Sequence, residues 1–156
     1  MYWSVWDSFN KPSEIFKGGM DGSSPSTVVN KEHVRNPVSL VIDFHSSRLY
    51  WADLFAKKIQ SSDLDGADIT TVFELSSEPM GLAIVNQKLF WSLLESNILQ
   101  SGNMDGSDIR TVYNGTGAIN HLAIPDWAYP RNRRNPCEGH ICPGICVLTP
   151  TSHKCL

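Results

Sequence analysis

Tyr50-Trp51-Ala52-Asp53, Leu64-Asp65-Gly66 and Thr71-Val72-Phe73 follow one another in the middle of the chain, and their order decides its fold. The same markers return as Phe90-Trp91-Ser92, Met104-Asp105-Gly106 and Thr111-Val112-Tyr113. They also stand earlier, as Tyr2-Trp3-Ser4, Met20-Asp21-Gly22 and Thr27-Val28-Val29. A fourth marker opens the next unit: Pro37-Val38-Ser39-Leu40-Val41-Ile42, Pro79-Met80-Gly81-Leu82-Ala83-Ile84 and, more loosely, Ile119-Asn120-His121-Leu122-Ala123-Ile124. Trp51 and Trp91 are 40 residues apart, and so are Asp65 and Asp105. The first unit is longer, with 18 residues from Trp3 to Asp21 against 14 in the other two, which leaves room for a larger loop near Lys11-Pro12-Ser13. Concordant markers at one period define a repeat.

Each unit divides into four short apolar or β-branched runs. In the middle unit these are roughly 38–43, 48–52, 57–62 and 69–74, separated by His45-Ser46-Ser47, a polar stretch at Asp53, and Leu64-Asp65-Gly66. Asp-Gly between such runs is a strong hairpin signal, because glycine accepts the positive φ of a tight turn. Four strands in about 40 residues is the blade of a β-propeller. The chain is therefore expected to be all-β, with the last three strands of one blade, two full blades and the first strand of another. Propellers close with about 4–8 blades. Residues 1–130 thus read as roughly half a ring, with two blade faces of apolar surface left open.

The whole chain has 156 residues, 41% of them apolar and 19% charged, as suits a folded chain. Its 13 basic and 16 acidic residues leave a formal charge of −3, which gives a nucleic-acid role no electrostatic support. No apolar run approaches the ~20 residues of a membrane-spanning helix. Met1-Tyr2-Trp3-Ser4-Val5-Trp6-Asp7 lacks the basic and apolar regions of a secretory signal. All four cysteines, Cys137, Cys142, Cys146 and Cys155, fall in the last stretch of the chain among Gly and Pro. That pattern predicts a small disulfide-stapled module. Zinc is disfavoured, since no Cys-x-x-Cys pair is present. A module that needs oxidation, on a chain without a signal, predicts a piece of a larger extracellular protein.

The candidate chemistry is sparse. Asp63-Leu64-Asp65-Gly66-Ala67-Asp68 has the acidic spacing of a calcium loop, but the twelfth position, which needs a bidentate Glu, is Val72, and in the third unit Val112. The turn reading is preferred and no metal is expected. No Gly-x-Ser-x-Gly elbow, His-Glu-x-x-His or phosphate-cradling loop occurs, so no enzyme or cofactor is expected. The repeated aromatics Trp3, Tyr50, Trp51, Phe90 and Trp91 are expected to pack between blades. Trp6 lies off the repeat positions and is the aromatic expected to be available for partner binding. Asn114-Gly115-Thr116 is an N-glycosylation sequon. Among five histidines, His121, which stands at the Gly81 position of its repeat, is the candidate pH sensor. Arg131-Asn132-Arg133-Arg134 reads as a solvated linker, with contact to a glycosaminoglycan or an acidic partner as the alternative.

Tyr50-Trp51-Ala52-Asp53, the Leu/Met-Asp-Gly turns and the Pro-x-x-Leu-(Ala/Val)-Ile openings resemble the YWTD, or class B, repeats of the low-density lipoprotein receptor family. Asn135-Pro136-Cys137, Cys142, Cys146 and Lys154-Cys155 resemble the opening of that family's EGF-like module. The resemblance implies a partial six-bladed propeller over 1–130, a linker over 131–136 and a truncated EGF-like module over 137–156. It implies disulfides pairing Cys137 with Cys146 and Cys142 with Cys155, each contributing roughly 2–3 kcal/mol. Spacing alone leaves three connectivities open. Only the second repeat keeps the motif's Asp, as Asp53; Val5 and Leu93 replace it in the others. The implied function is ligand recognition by the ectodomain of a cell-surface receptor that meets lipoprotein, yolk protein or a secreted signalling protein at the plasma membrane and in endosomes. Its membrane segment would lie outside this chain. A matrix protein of the nidogen kind and, more remotely, a six-bladed hydrolase are the alternatives.

Overall fold

Period-two alternation in the repeated segments dictates strands whose two faces both carry large apolar side chains. The computed structural model of the chain describes residues 1–6 and 12–123, together with the strands 146–148 and 153–155. Among these residues every regular element is a strand. The first sheet is the meander β1 (Tyr2–Val5), β2 (Glu14–Lys17) and β3 (Ser26–Val29). The second is β4 (Pro37–Asp43), β5 (Arg48–Asp53), β6 (Lys58–Asp63) and β7 (Thr70–Glu74). The third is β8 (Pro79–Val85), β9 (Lys88–Leu93), β10 (Ile98–Asn103) and β11 (Arg110–Asn114). A separate hairpin pairs β12 (Cys146–Leu148) with β13 (His153–Cys155). All neighbouring strands are antiparallel.

The sheets stack as blades. β4 packs against β8, β1 against β4 and β5 against β8, so neighbouring meanders meet along their leading strands. Strand alternation then distributes the core between two interfaces. Leu49 and Trp51 on β5 face the first sheet and pack with Ile15, Val28, Val29 and Val34. Tyr50 and Ala52, one residue out of phase, face the third sheet and pack with Ile59, Phe73, Leu82, Leu89, Trp91 and Leu93. One tetrapeptide thus seals both sides of the central blade. Trp51 and Trp91 are fully buried. Trp3, at the equivalent place in β1, is only half-buried and stacks on Phe16 with ring centroids 5.8 Å apart.

The Asp-Gly turns join the third and fourth strands of each blade, but they are wider than a two-residue hairpin: residues 64–69 connect β6 to β7. The Asp63 carboxylate accepts the backbone N–H groups of Asp65 at 2.9 Å and Ala67 at 2.8 Å. In the other two turns Asp21 and Asp105 accept from the backbone and hydroxyl of Ser23 and Ser107. Gly22, Gly66 and Gly106 all have φ between 79° and 89°. Gly66 also needs its missing side chain for space, since a Cβ there would lie 1.8 Å from the Val28 carbonyl oxygen of the preceding blade. At Gly106 the same approach is to the Val72 carbonyl oxygen at 2.4 Å, whereas nothing lies within 4 Å of Gly22. The turn is therefore also the contact by which a blade seats on the outer strand of the blade before it.

Two expectations change. Residues 119–123 form no strand; they run beside Gly81, whose Cβ would lie 3.1 Å from the Leu122 backbone nitrogen. Among the described residues no neighbouring strand pairs with them, and a strand needs such a ladder partner. The tightest hairpin lies elsewhere, at Asn86-Gln87 between β8 and β9, where both residues have positive φ.

Candidate functional site

The loops fall at two ends of the stacked sheets. One end carries the links from each blade to the next, 30–36 and 75–78, and the turns 54–57 and 94–97. These are tied together: Leu54 N–H donates to the Asn36 carbonyl at 2.9 Å, and Leu94 N–H to the Glu78 carbonyl at 2.7 Å. The other end carries the Asp-Gly turns, where Asp65 pairs with Lys17 and Asp68 with Arg48. Exposed large apolar side chains occur at both ends, Met20, Phe44 and Ile109 at this one and Trp6 and Phe55 at the first.

Asp53 builds that end. It closes β5 with no solvent exposure, and its carboxylate accepts the backbone N–H groups of Arg35 at 2.7 Å, Asn36 at 3.0 Å and Ala56 at 3.1 Å. A buried carboxylate is tolerated only with such donors around it. The result is that the link 30–36 and the turn 54–57 are held to one another. Between them opens a cleft of about 580 Å³ lined by Lys31, His33, Arg35, Phe55, Lys58 and Gln60, among others. Phe55, at its edge, is 63% exposed, more than any other large apolar side chain described. Its counterpart one repeat later is Glu95.

The neighbouring link is knit by charge. Lys57 pairs with Glu78 at 3.0 Å, and this ammonium holds the Glu78 carboxyl below the usual carboxylate range. At the opposite end, backbone N–H donors from Ala67 and Asp65 lower Asp63, the Ser107 hydroxyl and N–H lower Asp105, and Arg110 lowers Asp108. Burial raises the Tyr50 phenol. No group of three or more His, Cys, Asp or Glu side chains that could hold a metal occurs among the described residues.

Trp6 follows β1 directly at the same end as Phe55 and is 53% exposed. Asn114 ends β11 and is exposed, as is His121, whose Cα lies 3.2 Å from the Cβ position of Gly81. Cys137, Cys142, the basic segment 131–134 and the rest of 124–145 lie outside the described residues. Cys146 and Cys155 stand opposite one another across β12–β13. Lys31, Arg35 and Phe55 were not singled out by sequence. The available signals were a seven-residue link against a four-residue one in the next blade, and an aromatic in a polar turn.

Comparisons with known proteins follow the same division into fold and family. No family model matches the chain. A vitellogenin receptor of Solenopsis invicta is 34% identical over 95% of this chain, and one of Drosophila melanogaster is 29% identical over the same share. The human low-density lipoprotein receptor-related protein 5 is 30% identical over 50% of the chain. The chain spans only 8%, 7% and 5% of the length of these relatives. In the crystal structure of a nidogen/laminin complex, one chain superposes with a TM-score of 0.67 at 19% identity, covering 74% of this chain and 46% of that one. A luciferin-regenerating enzyme superposes with a TM-score of 0.60 at 13% identity, covering 72% and 40%. These last two likenesses concern the fold alone.

Proposed function

The chain belongs to the low-density lipoprotein receptor family, and on that premise we propose that it is a ligand-recognising stretch of a receptor's propeller, displayed outside the cell and serving uptake of a yolk protein. The observation that carries this reading is the alignment of 95% of the chain with two proteins named as vitellogenin receptors. The Asp53-braced end, with Phe55 and Trp6 exposed, supports it as the contact surface. Segment 131–136 is then a linker, and 137–156 the start of an EGF-like module with Cys137–Cys146 and Cys142–Cys155 bridges. In that setting Asn114 is a glycan acceptor, and His121 a group whose protonation in endosomes would favour release. Uptake of lipoprotein and co-reception of a secreted signal are the other members of the same class.

Catalysis is not part of the reading: the aligned relatives are named as receptors. The test is saturable binding of purified vitellogenin to the immobilised chain at neutral pH. Concentration-dependent, competable binding supports the reading. A folded chain that holds no vitellogenin removes it.

A further inference from the structure

We propose that the cleft between the link 30–36 and the turn 54–57 binds an acidic segment of a protein ligand, with Lys31 and Arg35 taking its carboxylates and Phe55 an adjacent apolar side chain. The proposal rests on the receptor reading and adds the chemistry of what is recognised.

Eight Lys and Arg side chains fall within residues 1–6 and 12–123. Six are committed to carboxylates: Lys17 to Asp65, Arg48 to Asp68, Lys57 to Glu78, Lys58 to Glu74, and Lys88 and Arg110 to Asp108. The two of these eight with no carboxylate partner among the described residues are Lys31 and Arg35, and both line the same cleft. The one carboxylate at its base, Asp53, is fully buried and engaged by three backbone N–H groups, so it does not compete for them. Among the described residues, Glu32 is the only carboxylate lining the cleft besides Asp53.

The apolar half of the site has an equally specific origin. Phe55 occupies a turn position filled by Glu95 in the next blade, and it is left largely uncovered beside the cations. Gln60 offers an amide to a peptide backbone. Its counterpart Gln100 accepts the Trp91 indole N–H at 3.0 Å, but the buried Trp51 indole N–H finds no partner among the described residues, while Gln60 lines the cleft. The Asp53 bonds hold both walls before any ligand arrives, which lowers the ordering cost of binding. Two cations, an aromatic lip and a free amide on a rigid frame suit a carboxylate-rich peptide with one apolar side chain.

The test uses the 156-residue chain and fluorescence anisotropy with a labelled peptide of sequence Gly-Glu-Glu-Leu-Asp-Glu-Gly, beside a twin carrying Gln and Asn in place of the acids. The acidic peptide is expected to bind about tenfold tighter than the twin, and to weaken as salt rises. Lys31→Ala with Arg35→Ala should weaken it about tenfold, and Phe55→Ser severalfold. Lys88→Ala, a charge removed from the third blade, should leave it unchanged. All four side chains lie on the surface or partly so, and equal urea midpoints would show that the variants remain folded. Equal binding of peptide and twin, or equal losses from Lys88→Ala and the cleft variants, would overturn the proposal. If vitellogenin binds while the acidic peptide does not, the cleft proposal falls and the receptor reading stands. If the peptide binds while vitellogenin does not, the reverse holds.

Discussion

At the scale of single residues, the same repeat position serves unequal ends in successive blades. Asp53 organises two loops through three N–H donors, while Leu93 at the equivalent place simply joins the apolar core. Asp53→Ala should therefore cost about 3 kcal/mol, because buried donors are left without acceptors, and urea denaturation would show it as a lower midpoint. The turn glycines offer a sharper contrast. Gly22→Ala meets open space and should cost only the roughly 1–2 kcal/mol of a left-handed residue. Gly66→Ala drives a methyl into the Val28 carbonyl and should cost clearly more. Equal losses would mean that the turn does not seat on the preceding blade. The Asp-Gly pair itself was plain in the sequence. That its glycine answers to a neighbouring blade as well as to its own φ was not, because the approach is made between residues 38 positions apart.

At the scale of elements, the strands were largely legible. Runs read as 38–43, 48–52, 57–62 and 69–74 are strands at 37–43, 48–53, 58–63 and 70–74. Alternation and turn residues are local, so they survive into the structure. The exceptions concern what is not local. Residues 119–123 carry a strand-like pattern but have no ladder beside them among the described residues. The cleft was invisible because a link after β3 and a turn after β5 make it jointly, joined by Asp53 and by the Leu54–Asn36 backbone bond. Carboxylates in the loops also give the elements a defined acid response. Asp63, Glu78, Asp105 and Asp108 all titrate below their usual values in the folded state. A depressed carboxyl stabilises the fold above its unfolded pKa and loses that contribution as pH falls through its folded value. Through these groups the thermal midpoint should hold from pH ~7 down to ~5 and fall below pH ~4. Calorimetry across that range checks it; a decline beginning near neutrality would point to other groups.

At the scale of the whole molecule, each blade interface is a separate apolar layer, and its burial depends on a neighbour. Val28 is 8% exposed under the second blade, whereas Val112, the equivalent residue on β11, is 52% exposed. Trp91 and Trp3 differ in the same sense. Trp91→Ala should thus cost about 3–5 kcal/mol, and Trp3→Ala distinctly less, because Trp3 is only half-buried, stacked on Phe16. The order of the two losses, read from urea midpoints, tests whether stability resides between blades. The central claim joins this architecture to a function: blades braced at one end present a ligand-binding face there. Hydrogen–deuterium exchange of the chain with and without saturating vitellogenin tests it most directly. The account predicts slowed exchange in segments 30–36 and 53–60, with the Asp-Gly turns at 64–69 and 104–109 unchanged. Slowing at those turns instead, or no slowing anywhere, would contradict it.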